Sequence, residues 1–158
     1  MKLPFFVFWL LPLCTIFAGP AQDAVAYAEA IAKINDTHAR QPGKNTEADL
    51  AKSIPVSARS ALQRLLATKP APDLAPALLS AGEAALNLDQ ITDFNAVRER
   101  LVTVSPETAL KLGTVLSRPR FIIRAIGAFD PGYLDQFAEI FDGILTGYDE
   151  VFGFKEFS

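Results

Sequence analysis

The stretch 131-PGYLDQFAEIFDGILTGYDEVF-152 decides how the chain is read. Its apolar side chains Tyr133, Leu134, Phe137, Ile140, Phe141, Ile144, Leu145, Tyr148, Val151 and Phe152 recur at helical spacing. At roughly 100° per residue most of them fall on one broad face. Asp135, Glu139, Asp142, Thr146, Asp149 and Glu150 take the opposite stripe. Asp130 suits the N-cap, because its carboxylate accepts from free N–H groups of the first turn. Pro131 then stands where a missing N–H costs nothing. The pattern predicts one long amphipathic helix, or two in line broken or capped near Gly147. Its apolar face is expected in the core, with Phe137, Phe141 and Ile144 near its centre.

Working upstream, Phe121-Ile122-Ile123 has the β-branched character of a strand, but no convincing partner strand is visible, and a lone strand leaves its edges unsatisfied. The segment is therefore read as a helix opened by Arg118-Pro119 and carrying Phe121, Ile122, Ile126 and Phe129. Before it, Ser105-Pro106-Glu107 gives cap, proline and acid in the order a helix start requires. Asp89, Asp73 and Ser57 are read as caps of three further helices, separated by breaks such as Lys69-Pro70-Ala71-Pro72. A short helix begins at Asn45 or Thr46. Asp36 to Thr46 lacks periodicity, contains Pro42-Gly43 and reads as a loop. Asp23 to Ile34 places Tyr27, Ile31 and Ile34 on one stripe. The fold class expected is all-α: a single-domain bundle or array of about seven to eight short helices. No internal repeat is read. The spacing of Gly82 and Pro106 suggests a helical repeat unit, but Arg98 stands where an aromatic would be wanted and no second copy follows.

Lys2 precedes an uncharged apolar run from Leu3 to Ala18, followed by Gly19-Pro20-Ala21. A positive residue, an apolar stretch and small residues before a cleavage point make a secretory signal, so residues 1–21 are expected to be removed and 22–158 to form the domain. The alternative is an uncleaved anchor, since Leu3 to Ala21 approaches spanning length. The expected localisation is secreted or periplasmic. Asn35-Asp36-Thr37 would be a glycosylation acceptor in a eukaryotic secretory pathway.

Composition narrows the chemistry. Among 158 residues, half of them hydrophobic, the formal charge is −3, which argues against bulk electrostatic binding of nucleic acid. There is one Cys and one His. Cys14 lies in the N-terminal apolar run, so a disulfide framework, a cysteine zinc site and a cysteine nucleophile are excluded for the remainder. His38 would have to serve any Ser-His-Asp triad, but no G-x-S-x-G elbow accompanies it, and a solvated loop histidine is the plainer reading. Asp135, Glu139 and Asp142 stand one turn apart, yet on the polar stripe opposite the apolar face, without the partial burial a catalytic carboxyl needs and without an EF-hand loop, so a solvated face is the plainer reading than glycoside chemistry or a calcium site. No catalytic residue, metal or cofactor is assigned.

Two binding features remain. After Arg118 the chain turns from Ala and Leu to aromatics, and Phe121, Phe129, Phe137 and Phe141 could line a pocket for an apolar ligand; an ordinary aromatic core is the plainer alternative. Arg118, Arg120 and Arg124 could form an anion site with guanidinium forks. Because an acidic helix follows directly, pairing with it is the preferred expectation. The leading functional expectation is an exported, non-enzymatic helical protein that binds a partner protein or an apolar ligand. A carboxylate-dependent cell-wall or glycan hydrolase and a membrane-anchored structural envelope protein are the alternatives. Membrane contact is expected only if the N-terminal segment is retained.

Overall fold

A computed structural model describes residues 19–39, 50, 52–128 and 130–152. The chain is mostly helical. The elements are α1 (Pro20–Ala39), α2 (Val56–Ala67), a one-turn 3-10 helix (Pro72–Leu74), α3 (Ala75–Asn87), α4 (Ile91–Val104), α5 (Pro106–Leu112), β1 (Thr114–Arg118), β2 (Phe121–Ala125) and α6 (Pro131–Phe152). The proposed signal segment lies outside the described residues except for its last three, Gly19 to Ala21. Pro20 and Ala21 are the first two residues of α1.

The core is built by α1 to α5. Helix α1 packs on α2 and α3, α3 on α4, and α4 on α5. Tyr27, Ile31, Leu65, Leu78, Phe94, Val97, Leu101 and Leu112 are fully buried among them. Small residues let these helices close up. A Cβ at Gly82 would meet the Leu112 side chain at 2.7 Å and Val97 at 3.3 Å, so α3, α4 and α5 converge closely enough that a larger residue would have to displace the end of Leu112. Two polar contacts tie α1 to its neighbours. The Tyr27 hydroxyl donates to Asp93 Oδ2 on α4 at 2.7 Å. Arg64 on α2 forks onto Asp23, with Nη2 to Oδ1 at 2.6 Å and Nε to Oδ1 at 3.2 Å. Asp23 is 3 % exposed, so this pairing is what makes a carboxylate tolerable at that depth.

The expected helix over Arg118 to Phe129 is absent. Phe121–Ala125 is a strand, and its partner is Thr114–Arg118, paired antiparallel in the register Thr114↔Ala125, Leu116↔Ile123 and Arg118↔Phe121. Pro119 and Arg120 make the turn. Gly113 ends α5 with φ 83° and delivers the chain into β1. A Cβ there would lie 2.3 Å from the Ala125 carbonyl oxygen, so glycine is required by both conformation and contact. Two arginines fasten this junction. Arg98 Nε donates to the Gly113 carbonyl at 2.6 Å, and Arg124 Nε to the Leu112 carbonyl at 3.0 Å, satisfying acceptors that the end of α5 leaves free.

Other expectations also change. Helix α1 continues through Asp36 to Ala39, so the start of the expected loop, including the backbone of His38, is helical; residues 40–49 and the His38 side chain lie outside the described residues. Ser57, Asp73 and Asp89 do not cap. Helix α2 starts two residues earlier than a Ser57 cap would place it, with the Pro55 carbonyl accepting from Ala58 and Arg59. Asp73 lies inside the 3-10 turn. Asp89 adopts φ 53° after α3, a left-handed position that aspartate tolerates, and Gln90 precedes α4. Ser105 does cap α5, accepting from Thr108 N at 3.4 Å. Asp130 Oδ1 accepts from Gly132 N at 2.8 Å at the start of α6. Helix α6 runs unbroken through Gly147.

The largest correction concerns the face of α6. It is not core. Leu134 and Ala138 are buried, but Phe137, Ile140, Ile144 and Tyr148 are 57 %, 63 %, 49 % and 57 % exposed. Among the described residues the helix packs chiefly on the β1–β2 hairpin, which is too narrow to cover a face of that width.

Candidate functional site

The hairpin and α6 form one unit on the side of the bundle. Taking Ala138 as the contact meridian, Leu134 and the half-buried Leu145 lie beside it at roughly 100° per residue. Tyr133, Phe137, Ile140, Ile144, Tyr148 and Val151 centre roughly 120° away on the same wheel, and all are exposed. The helix therefore uses one edge of its apolar arc to dock and leaves the rest in water.

Aromatic packing shapes that surface. Phe121 on β2 meets Phe141 edge-on with centroids 5.2 Å apart, and Phe137 lies near-parallel to Phe141 at 6.5 Å. Tyr148 stacks on Phe152 at 5.6 Å. These three contacts fix ring orientations on the surface and enclose no interior pocket. A shallow hollow of about 390 Å³ lies farther along the helix, lined by Ile144, Gly147, Tyr148, Val151 and Phe152. Gly147 forms its floor, since a Cβ there would meet nothing within 4 Å. Of the four phenylalanines singled out from the sequence, Phe121, Phe137 and Phe141 are brought together; Phe129 lies outside the described residues.

The three arginines pair, in two different ways. Arg118 meets Asp135 at 3.0 Å and Arg120 meets Asp149 at 2.8 Å, so both hold α6 against the hairpin. Arg124 points the other way and grips Glu83 of α3 with both terminal nitrogens, at 2.5 and 2.9 Å. The trio does not converge: Arg118 ends β1 opposite Phe121 and Arg120 lies in the turn, whereas Arg124 belongs to the alternate set of β2 side chains, on the other side of the sheet from Phe121. Glu83 was not identified from the sequence; forty-one residues separate it from Arg124, and no local pattern links them.

An open cleft of about 820 Å³ lies between α1 and α3, lined by residues including Asn35, Asp36, Ser80, Glu83 and Asn87. It contains two carboxylates, but Asp36 and Glu83 are both solvent-accessible and Glu83 is held by Arg124. A carboxyl group that must donate a proton near neutrality needs burial that this cleft does not give it. Among the described residues there is no cluster of three metal-ligating side chains, and no helix is long and apolar enough to cross a membrane. Comparison with protein families, with curated proteins and with solved structures gives no match to this chain.

Proposed function

We propose that the chain is an exported, non-enzymatic binding protein whose working surface is the open apolar face of α6 and whose ligand is another protein. The observation that carries this reading is the exposure of a continuous row of large apolar side chains from Tyr133 to Val151, on a helix whose opposite edge is fastened by the hairpin. Contiguous apolar surface on that scale marks an interaction site, and a helical row of anchors suits a protein partner better than a small ligand, which needs concavity. The N-terminal apolar segment supports export, and the open cleft between α1 and α3 gives little support to the carboxylate hydrolase.

A photo-crosslinking side chain placed at Ile144 should form a protein adduct in cells, and the same group at Glu139, roughly 140° around the helix, should not. Equal adducts at both positions, or none at Ile144, would remove the reading. Intact mass of the exported chain tests the other half: loss of residues 1–21 is expected, and a membrane-held product that keeps them would favour the anchored alternative.

A further inference from the structure

The open face has a finer order than a generic apolar patch. Tyr133, Phe137, Ile140, Ile144, Gly147 and Val151 follow one another at intervals of four, three, four, three and four residues. That is the alternation of a coiled-coil seam, with Phe137, Ile144 and Val151 at a and Tyr133, Ile140 and Gly147 at d. A helix whose exposed face keeps a 3.5-residue period is matched to another helix, because only a helical partner returns to the same line at that interval. Charges stay off the seam. Asp135, Asp142 and Asp149 all fall at f, the outward position, where Asp135 and Asp149 hold Arg118 and Arg120.

We propose that the partner is a second copy of this chain, and that α6 packs antiparallel on α6 of that copy about a two-fold axis near Asp142. This rests on the reading that the α6 face binds protein. The direction follows from size. In a parallel pair, a positions face a and d positions face d, so Gly147 would face Gly147 and leave a void in a seam otherwise made of large side chains. In the antiparallel pair a faces d. Phe137 then enters the hollow over Gly147 of the partner copy, Ile144 meets Ile140, and Val151 meets Tyr133. The hollow beside Gly147 is present in the single chain and is lined by apolar groups. Large facing small, as Phe137 faces Gly147 and Tyr133 faces Val151, is how interdigitated cores reach native density.

The flanks agree. At g, Glu150 comes opposite Gln136 and Gly143 opposite itself, so no like charges meet. At e, Phe141 faces Phe141, and Leu134 faces Tyr148. With side chains of this size about half exposed, the face offers roughly 700 Å² per copy, close to the ~800 Å² per partner of a standard interface. An isologous contact about a two-fold axis also closes on itself, so the product is a dimer rather than a fibre.

The test uses the full chain in a Cys14→Ser background. Sedimentation equilibrium should give twice the chain mass for the parent and the single-chain mass for Ile144→Asp, with circular dichroism showing that the variant keeps its helix content. A monomeric parent, or a dimer that survives Ile144→Asp, would overturn the proposal. Direction is read from disulfides. Phe137→Cys mixed with Gly147→Cys should form a mixed disulfide, and Tyr133→Cys alone should not pair with itself; the reverse pattern overturns the antiparallel arrangement. Gly147→Leu gives an independent check. A Cβ at that helix position meets nothing within 4 Å, so the variant should fold, but the leucine fills the hollow needed by Phe137 and should weaken dimerisation at least tenfold; a tighter dimer would point to the parallel seam. If the crosslinker at Ile144 instead captures a protein of another mass and the parent is a monomer, self-pairing is wrong while the protein-binding reading stands.

Discussion

Tyr27 shows how a single side chain couples burial to pH. It is completely buried, and its hydroxyl is spent on Asp93. Desolvation by burial raises its pKa well above that of a free phenol, and the hydrogen bond to Asp93 and that residue's negative charge push in the same direction. The folded state thus favours the neutral phenol. A raised folded-state pKa contributes stability that is fully present below the unfolded value near 10 and is lost as pH climbs towards the folded one. Stability should therefore fall above about pH 10, with Tyr27 contributing up to about 1.4 kcal/mol per pH unit. Tyr27→Phe should cost about 1.5 kcal/mol at neutral pH and should flatten that alkaline decline. Urea titrations at pH 7 and at pH 11 check both halves. The sequence placed Tyr27 correctly on a buried stripe; its bond to Asp93 joins residues sixty-six apart and has no local signature.

At the scale of elements, the hairpin is what the sequence concealed. The usual marker of a two-residue turn is Asn-Gly or Asp-Gly with positive φ, and here Pro119-Arg120 makes the turn without it. Val115 and Leu116 look like the tail of α5 until Gly113 is seen to reverse the chain. Ser105-Pro106-Glu107 and Asp130-Pro131 were legible because caps act over three or four residues, whereas strand pairing is decided by residues on both sides of a turn. The hairpin is too small to stand alone and depends on its anchors. Arg124 bridges Glu83 and the Leu112 carbonyl, whereas Arg118 makes one exposed ion pair. Arg124→Ala should thus cost about 1–2 kcal/mol, and Arg118→Ala under about 1 kcal/mol with an effect that salt erases. Thermal unfolding at low and high salt separates them. A larger, salt-sensitive loss for Arg118→Ala would mean that α6, not α3, holds the hairpin in place.

Over the whole molecule, two regions follow different rules. From α1 to α5, apolar periodicity means burial: Tyr27, Leu65, Leu78, Phe94 and Leu101 are all interior. In α6 the same periodicity, with a stronger contrast between faces, leads to exposure. Periodicity reports that a face seeks an apolar partner and says nothing about whether that partner lies in the same chain. The bundle closes its core with alanine and leucine before α6 is reached, and among the described residues the aromatic helix packs chiefly on the hairpin. The mostly helical make-up and the row from Tyr133 to Val151 were thus legible, while the row's position outside the core was not.

The central claim is that this row is surface within one chain. The most direct measurement is urea unfolding of Ile144→Ala beside Leu134→Ala, at dilutions where the chain is monomeric. Leu134 is 5 % exposed and Ile144 is 49 % exposed. Leu134→Ala should cost about 2–5 kcal/mol, and Ile144→Ala should change stability by no more than about 0.5 kcal/mol. Equal, large losses for the two would contradict the account and return the face of α6 to the core.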